Sequence, residues 1–487
     1  MKSLIAHLQH FSMPGLGWFR KQSFWEELLW FSLNLLLLIH DFVLNHNGTL
    51  CGRNFPYPSQ KEEDTMRQRC LLSPESIPPS TRYGKLFENL PELHEKNSQL
   101  GKPPTPKGVL LRGLIYRNLR GIVKLVELEF ELANNPSIAE PLGLDPLKSP
   151  PSDERFSSFL RTTPNGYFQD VRKYLTQELI NQGAIFGNGI ALDSCPVEAI
   201  VKENNLKTSI KDRYNKYRLL SGDKDARLGI TIHFPKPFKK EIHYFWGYRN
   251  HIINDLGSEL PISEITLQAN KSEKQVALSM LKELNRDFSL PINVVVADAN
   301  YDVEEILKYI VEEMKAEAMI PRNIGNTQNT VYSIKKDKVY CLADIPMYRK
   351  GKMTVKGITY CQYICPLHWS KEFSGRYLLC PAGHPKFLKQ KGCNVLIRLT
   401  PSIREKIGYN TRRFKDVYNK RTSVERVFSR LLAISMQKPT VKGLRAIRNH
   451  CTIAHITALL VALTAHKMGC EDKVRFVKSF VPGFLTQ

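Results

Sequence analysis

Three acidic residues of this chain fall where a carboxylate would face outward from the end or flank of a regular element. Asp193 closes the apolar run Ile190–Ala191–Leu192, and Asp298 directly follows Ile292–Asn293–Val294–Val295–Val296–Ala297. Glu425 lies within Tyr418–Leu432, YNKRTSVERVFSRLL. Carboxylate oxygens are the hard donors that Mg2+ (or Mn2+) prefers, and that ion takes only a few ligands from protein. Two such ions held by shared carboxylates activate an oxygen nucleophile at a phosphodiester and stabilise the departing oxygen. Singly, each acid has an ordinary reading. An Asp after a strand is often a turn residue or helix N-cap, and a Glu beside Arg421, Arg426 and Arg430 is often a solvated ion-pairing residue. Only their combination favours the metal-dependent reading.

The elements that must position these acids can be read from periodicity. In Tyr418–Leu432 the spacing predicts one helix, with Val424, Phe428 and Leu431 at i, i+4 and i+7 as a buried stripe. Tyr418, Arg421 and Glu425 share another face at spacings of three and four. From Ile185 the pattern is that of strands: Ile190–Leu192, Leu228–Phe234, Ile242–Trp246, Pro261–Leu267, Ile292–Ala297 and Glu317–Ile320. Lys274–Phe288 and Val303–Lys315 are helical between them. Such alternation predicts an α/β core with a mixed sheet. Asp302 also follows the fifth strand, but its place before Val303 suits a helix N-cap, so Asp298 is the better candidate.

Charge narrows the partner. The 487 residues carry 70 Lys and Arg against 47 Asp and Glu, a net of +23. Between Pro401 and His450 the balance is 13 − 3 = +10, so the excess gathers around the glutamate helix. A polyanion, by default double-stranded DNA, fits this distribution. Arg426 and Arg430 are candidate phosphate contacts. Arg249 and His251, with Lys240 and His243, either line a DNA groove or form a solvated basic face. Ten cysteines in so long a chain do not make a disulfide scaffold, and no cleavable signal peptide is evident. The apolar run Leu28–Ile39 is short for a membrane span and reads as a core helix. A reducing cytoplasmic setting, nucleoid-associated, follows.

The rest of the chain divides by composition. Residues 1–105 hold that apolar run and a Pro-punctuated loop of uncertain role. Residues 106–184 are helical: Val109–Asn134, then DERFSSFLRTT, then Tyr167–Asn181. With Arg155, Arg161 and Arg172 exposed they would make a helix-turn-helix DNA reader, and otherwise a bundle packed on the next domain. Residues 185–323 are the first part of the core and 324–400 a β-rich insertion. Residues 401–470 return to helix, and 471–487 form a tail. The insertion contains five of the ten cysteines. Cys361, Cys365, Cys380 and Cys393 are candidate ligands for a structural zinc ion, although the lack of a paired C-x2-C knuckle favours plain reduced cysteines.

ALDSCPVEA, WGYRNH with LQANKSE, VVVADANYD and YNKRTSVERVFSRL, in that order, resemble the DDE transposases of bacterial insertion sequences. More narrowly, they resemble the branch with a Tyr-x2-Arg-x3-Glu-x6-Lys motif, over roughly residues 150–470. The resemblance implies an RNase H-like core of the retroviral integrase superfamily, with Asp193, Asp298 and Glu425 holding two Mg2+ ions. It implies cleavage and strand transfer at terminal inverted repeats, target DNA as second substrate, and a homodimer or larger assembly on paired ends. Tyr418 and Arg421 would contact DNA near the cleaved end. One departure stands out: the motif lysine falls on Leu432, so the phosphate contact expected there is missing or comes from elsewhere, Arg430 or Lys438. A metal-dependent nuclease of the same fold and a non-catalytic DNA-binding descendant of a transposase stay open.

Overall fold

In the computed structural model the described residues are 79–93, 104–236, 239–323 and 332–477, the last with gaps at 336–337, 356, 386, 390–391, 410 and 438. The run Leu28–Ile39 lies outside them. The centre is a mixed sheet. Its strands are β1 (Gly189–Glu198), β2 (Arg227–Lys236), β3 (Lys239–Asp255), β4 (Pro261–Gln268), β5 (Val294–Val296) and β6 (Glu317–Met319). They are ordered β2-β3-β1-β5-β6, with β4 also paired to β3. β3 is the organiser. Its first half pairs antiparallel with β2, and its second half pairs with β1 on one side and β4 on the other. Gly247 sits where β3 changes partners, and a Cβ there would come within 2.2 Å of the Val197 carbonyl oxygen. Only glycine allows that approach.

β5 and β6 continue the sheet in parallel, β5 pairing with β1 only through Gly189–Ala191. All three residues of β5 are buried, which explains its unbroken valine run, since a parallel strand is covered on both faces. The covering helices are, in chain order, α1 (Pro79–Phe87), α2 (Lys107–Leu119), α3 (Leu125–Asn134), α4 (Asp153–Thr162), α5 (Asn165–Asn181), α6 (Glu273–Asp287), α7 (Glu304–Lys308), α8 (Arg412–Tyr418), α9 (Thr422–Ala433) and α10 (Leu444–Lys467). α10 is long and apolar enough to cross a membrane, yet 94% of its apolar window is buried inside the protein. It is the core helix, with α4, α5 and β4 packed against it.

Two sequence expectations need correction here. Val109–Asn134 is not one helix: α2 and α3 are separated at Arg120–Lys124, where Gly121 takes φ +67° and Arg117 Nε donates to the Ile122 carbonyl at 3.1 Å. Arg172 is not exposed. It is buried in α5, donates to Gln169 Oε1 at 2.7 Å and to the Ile262 carbonyl, and so ties α5 to β4. Arg155 and Arg161 are exposed. Asn449 of α10 donates to the Leu160 and Thr163 carbonyls, both at 2.8 Å, fixing the junction of α4 and α5 onto the core.

The segment after β6 is β-rich, as its sequence suggests. β7 (Tyr332–Lys335) and β8 (Lys338–Cys341) form a hairpin, and β9 (Tyr348–Val355), β10 (Ile358–Ile364) and β11 (Asn394–Arg398) form a three-stranded sheet. This insertion has its own small core around Val339, Met347, Leu367, Phe387 and Val395. Arg398 at the end of β11 clamps Glu304 of α7 through bonds of 2.8 and 2.9 Å, anchoring the insertion to the main unit.

Candidate active site

Asp193 lies in the middle of β1, not at a strand end as its sequence suggests. The strand runs on to Glu198 because β3 keeps pairing with it, Asp193 opposite Ile252, after the parallel partner β5 has stopped opposite Ala191. Its carboxylate therefore stands just beyond the end of β5, where Asp298 emerges. Asp298 caps the short turn Ala299–Tyr301, accepting from the Asn300 N–H at 2.8 Å. It is thus a cap and a site residue at once. Asp302 is no N-cap: it pairs with Arg404 at 2.8 Å and accepts from the Asn323 N–H at 3.0 Å.

The glutamate segment is not a single helix. α8 ends at Tyr418, Asn419–Arg421 tighten into a 3-10 turn, and α9 begins at Thr422. The Thr422 hydroxyl donates to the Asn419 carbonyl at 3.3 Å, a local bond of the kind that competes with helix continuation. The buried stripe is as predicted, with Val424, Phe428 and Leu431 buried and Val427 added. Those residues press α9 onto β1 and β3, and Asn254 donates to the Ser423 hydroxyl at 3.2 Å.

Arg421 joins the strand and helix acids. Its Nη2 lies 2.5 Å from Glu425 Oε1 and its Nη1 lies 3.5 Å from Asp193 Oδ2. Burial works against its charge, but Asp193 and Glu425 hold its pKa above the usual value. The Asp193 side chain is 23% exposed. Burial pushes it up to about 7, opposed by the Ser194 N–H and raised further by the Asp298 charge. Burial raises Asp298 too. Glu425 is outermost, 55% exposed. Tyr418 stacks on Phe414 at 6.1 Å and hydrogen-bonds Arg421, and burial raises its phenol.

Three acids share one guanidinium, and the two aspartates have their pKa raised chiefly by burial, a combination that marks a functional-site candidate. Their donors are hard oxygens. Asp193, Asp298 and Glu425 are the side chains that could hold a divalent ion. Among the described residues, however, no three His, Cys, Asp or Glu side chains stand together as a ready ligand set.

The other site expectations fare differently. Arg249 and His251 neither line a groove nor form a solvated face. Both are buried in β3, and burial takes His251 down to about 3, leaving it neutral. Arg426 and Arg430 are bonded to Glu259, at 2.5 and 3.3 Å, rather than free for phosphate. Glu259 sits in the turn between β3 and β4 at φ +56°, so it pins α9 to that turn. Leu432 packs against the core and offers no cation, while Lys438 lies outside the described residues. The cysteines do not form the expected zinc set. Cys361 accepts from Arg349 Nε at 3.2 Å, while Cys365 and Cys393 are buried with Cys341 in the insertion's core and Cys380 packs against it. Burial and the neighbouring thiols push Cys393 up to about 11.

Sequence reasoning missed Glu273, Ser194 and Tyr301. Glu273 opens α6, where an acid reads as a partner for the helix dipole. Its charge nevertheless reaches both Asp193 and Tyr301.

Asp193 thus lies on β1, Asp298 follows the end of the neighbouring β5, and Glu425 lies on the helix packed against β1 and β3. Residues 229–461 match the family model described as a transposase DDE domain. That stretch runs from β2 into α10 and contains Asp298, Arg421 and Glu425, but begins after Asp193. No curated protein matches the chain. Among solved structures, a cryo-EM structure of piggyBac transposase in a synaptic complex with hairpin DNA is similar at 12% identity and a TM-score of 0.33. The alignment covers 87% of this chain and 82% of the other, at a likeness too low to assign a common fold.

Proposed function

We propose that the chain is a DDE transposase, of the kind found in bacterial insertion sequences, that binds the terminal inverted repeats of its element, cuts there and joins the freed end to target DNA. The observation that carries this reading is the meeting of Asp193, from β1, and Glu425, from α9, on one guanidinium, with Asp298 close enough for its charge to raise Asp193. The match of residues 229–461 to a transposase DDE domain supports it independently. A mixed sheet with Asp193 on one strand, Asp298 just past the end of the neighbouring strand and Glu425 on a covering helix supports an RNase H-like core.

Asp193, Asp298 and Glu425 would hold Mg2+ or Mn2+, which supplies Lewis-acid activation of a water or 3′-hydroxyl and stabilises the departing oxygen. The protein's own contribution is placement. The β1–β5 pairing sets the two aspartates side by side, and the α9 stripe sets the depth of Glu425. Arg421 holds Asp193 and Glu425 in one orientation until DNA arrives, and with Tyr418 faces the cleaved end. The exposed cations of segment 401–450 outside its ion pairs, Lys415, Lys420, Lys442 and Arg445, neutralise phosphates, an interaction that weakens steeply with salt. A dimer or larger assembly would bring two ends together.

A strand-transfer assay tests this. A pre-cut element end with a free 3′-hydroxyl is incubated with supercoiled plasmid, protein and Mg2+. Joined product that EDTA abolishes is the expected result. End cleavage without joining would instead mark a nuclease. Specific binding unaffected by EDTA, with neither reaction, would mark a DNA-binding descendant.

A further inference from the structure

Behind the two aspartates, one buried guanidinium ties together three strands and a helix. Arg249 of β3 is 10% exposed, and its Nη1 lies 3.0 Å from Glu273 Oε1 at the start of α6. The same nitrogen donates to the Ser194 hydroxyl at 3.2 Å, and Nη2 donates to the Ile230 carbonyl on β2. Ser194 is the residue after Asp193, and its N–H donates to Asp193 Oδ1 at 2.7 Å. The Ser194 side chain also hydrogen-bonds Tyr301, which closes the turn that Asp298 caps. A continuous polar path therefore runs from Glu273 through Arg249 and Ser194 to Asp193, and through Tyr301 to the turn bearing Asp298. It joins Arg249 of WGYRNH and Glu273 of LQANKSE to the two aspartates.

The bland account is an ion pair that merely fastens α6 to the sheet. Buried pairs add little net stability compared with apolar replacements, and this one makes contacts that fastening does not need. The arginine fork meets a carboxylate, a hydroxyl and a carbonyl at once, whereas a lysine would be a single point charge. We infer that the Arg249–Glu273 pair is a positioning device for the metal-holding aspartates, acting through Ser194 on the orientation of Asp193 and through Tyr301 on its separation from Asp298. This rests on the carboxylate site being the metal site. Groups that orient the ligands of a metal change affinity by roughly 10- to 100-fold when altered.

The test measures Mn2+ binding to the full chain without DNA, from the EPR signal of free Mn2+, alongside a urea midpoint for each variant. Asp193→Asn is the reference and is expected to lose the tight binding. Arg249→Lys keeps the charge opposite Glu273 but loses the fork, and Ser194→Ala removes only the bridge. Each is expected to weaken Mn2+ binding by about tenfold, with the urea midpoint unchanged in Ser194→Ala and lowered in Arg249→Lys, where the buried Ile230 carbonyl loses its donor. The double variant is expected to be no weaker than either single one, because both cut the same path. Wild-type affinity in both single variants would overturn the inference, as would a loss that only follows a lowered urea midpoint. Mn2+ binding unchanged in Asp193→Asn would overturn the metal-site reading itself, and this inference with it.

Discussion

Arg421→Met removes the guanidinium that faces the acids while keeping most of its apolar stem. The contacts at stake are 2.5 Å to Glu425 and 3.5 Å to Asp193. At an effective dielectric near 20, unit charges 3.5 Å apart attract by about 5 kcal/mol before desolvation is counted. The Glu425 pair is half exposed and contributes about 0.5–1 kcal/mol net. Breaking a fully buried pair costs about 3–5 kcal/mol, and with Asp193 about a quarter exposed roughly half of that applies. Above about pH 8, where Asp193 is ionised, the variant should therefore lose about 2–3 kcal/mol in EDTA, read as a lowered urea midpoint at unchanged slope. A divalent ion replaces the missing charge, and at about 100 times its Kd a ligand adds about 2.7 kcal/mol. Wild type gains less, because there the ion must compete with Arg421. The gap between the two proteins should shrink in Mn2+. An equal gap with and without Mn2+, or no loss in EDTA, would refute the claim that Arg421 stands in for a cation.

Further consequences are open to the same kind of measurement. Asp193 has its folded pKa raised to about 7, so its contribution favours folding at low pH and is lost as pH rises from about 4 to 7. Three units correspond to about 4 kcal/mol, and Asp193→Asn should flatten that slope in urea titrations made in EDTA. Leu431→Ala, fully buried in α9, should cost about 2–5 kcal/mol and unseat Glu425, visible as lost stability together with lost cleavage. Glu304→Gln should free Arg398 and loosen the insertion, raising amide exchange in β10 and β11 while exchange in β1 stays unchanged. Among the described cysteines of the insertion Cys380 is the least buried, so under native conditions it should react first with a thiol reagent, with Cys393 lagging, its thiol pushed up to about 11 by burial.

The parts legible in the sequence are those where one local pattern decides the outcome. Val294–Val296 reads as a buried strand because parallel strands are apolar on both faces, and it places Asp298 at once. The α9 stripe is legible for the same reason. Asp193 reads as a strand end because Pro196 interrupts Ser194–Glu198, and pairing with β3 keeps that stretch extended. The break at Asn419–Arg421 hides within an unbroken helical period. Arg249 and Arg172 look like surface cations because their partners, Glu273 and the Ile262 carbonyl, lie far along the chain. The cysteine spacing suggests a ligand set, yet β10 directs Cys361 to Arg349 and away from that role. Tertiary pairing decides all of these, and no local window contains it.

The most direct test of the account is cleavage of a linear duplex spanning an element end and its flank, by wild type in Mg2+, by wild type in EDTA and by Glu425→Gln in Mg2+. The account predicts cutting at the element boundary by wild type in Mg2+ alone. Glu425→Gln keeps shape and hydrogen bonding but removes one carboxylate charge, and should be inactive although it binds the duplex as tightly. Boundary cutting that survives in Glu425→Gln would remove Glu425 from the site and contradict the convergence on Arg421 from which the function is argued.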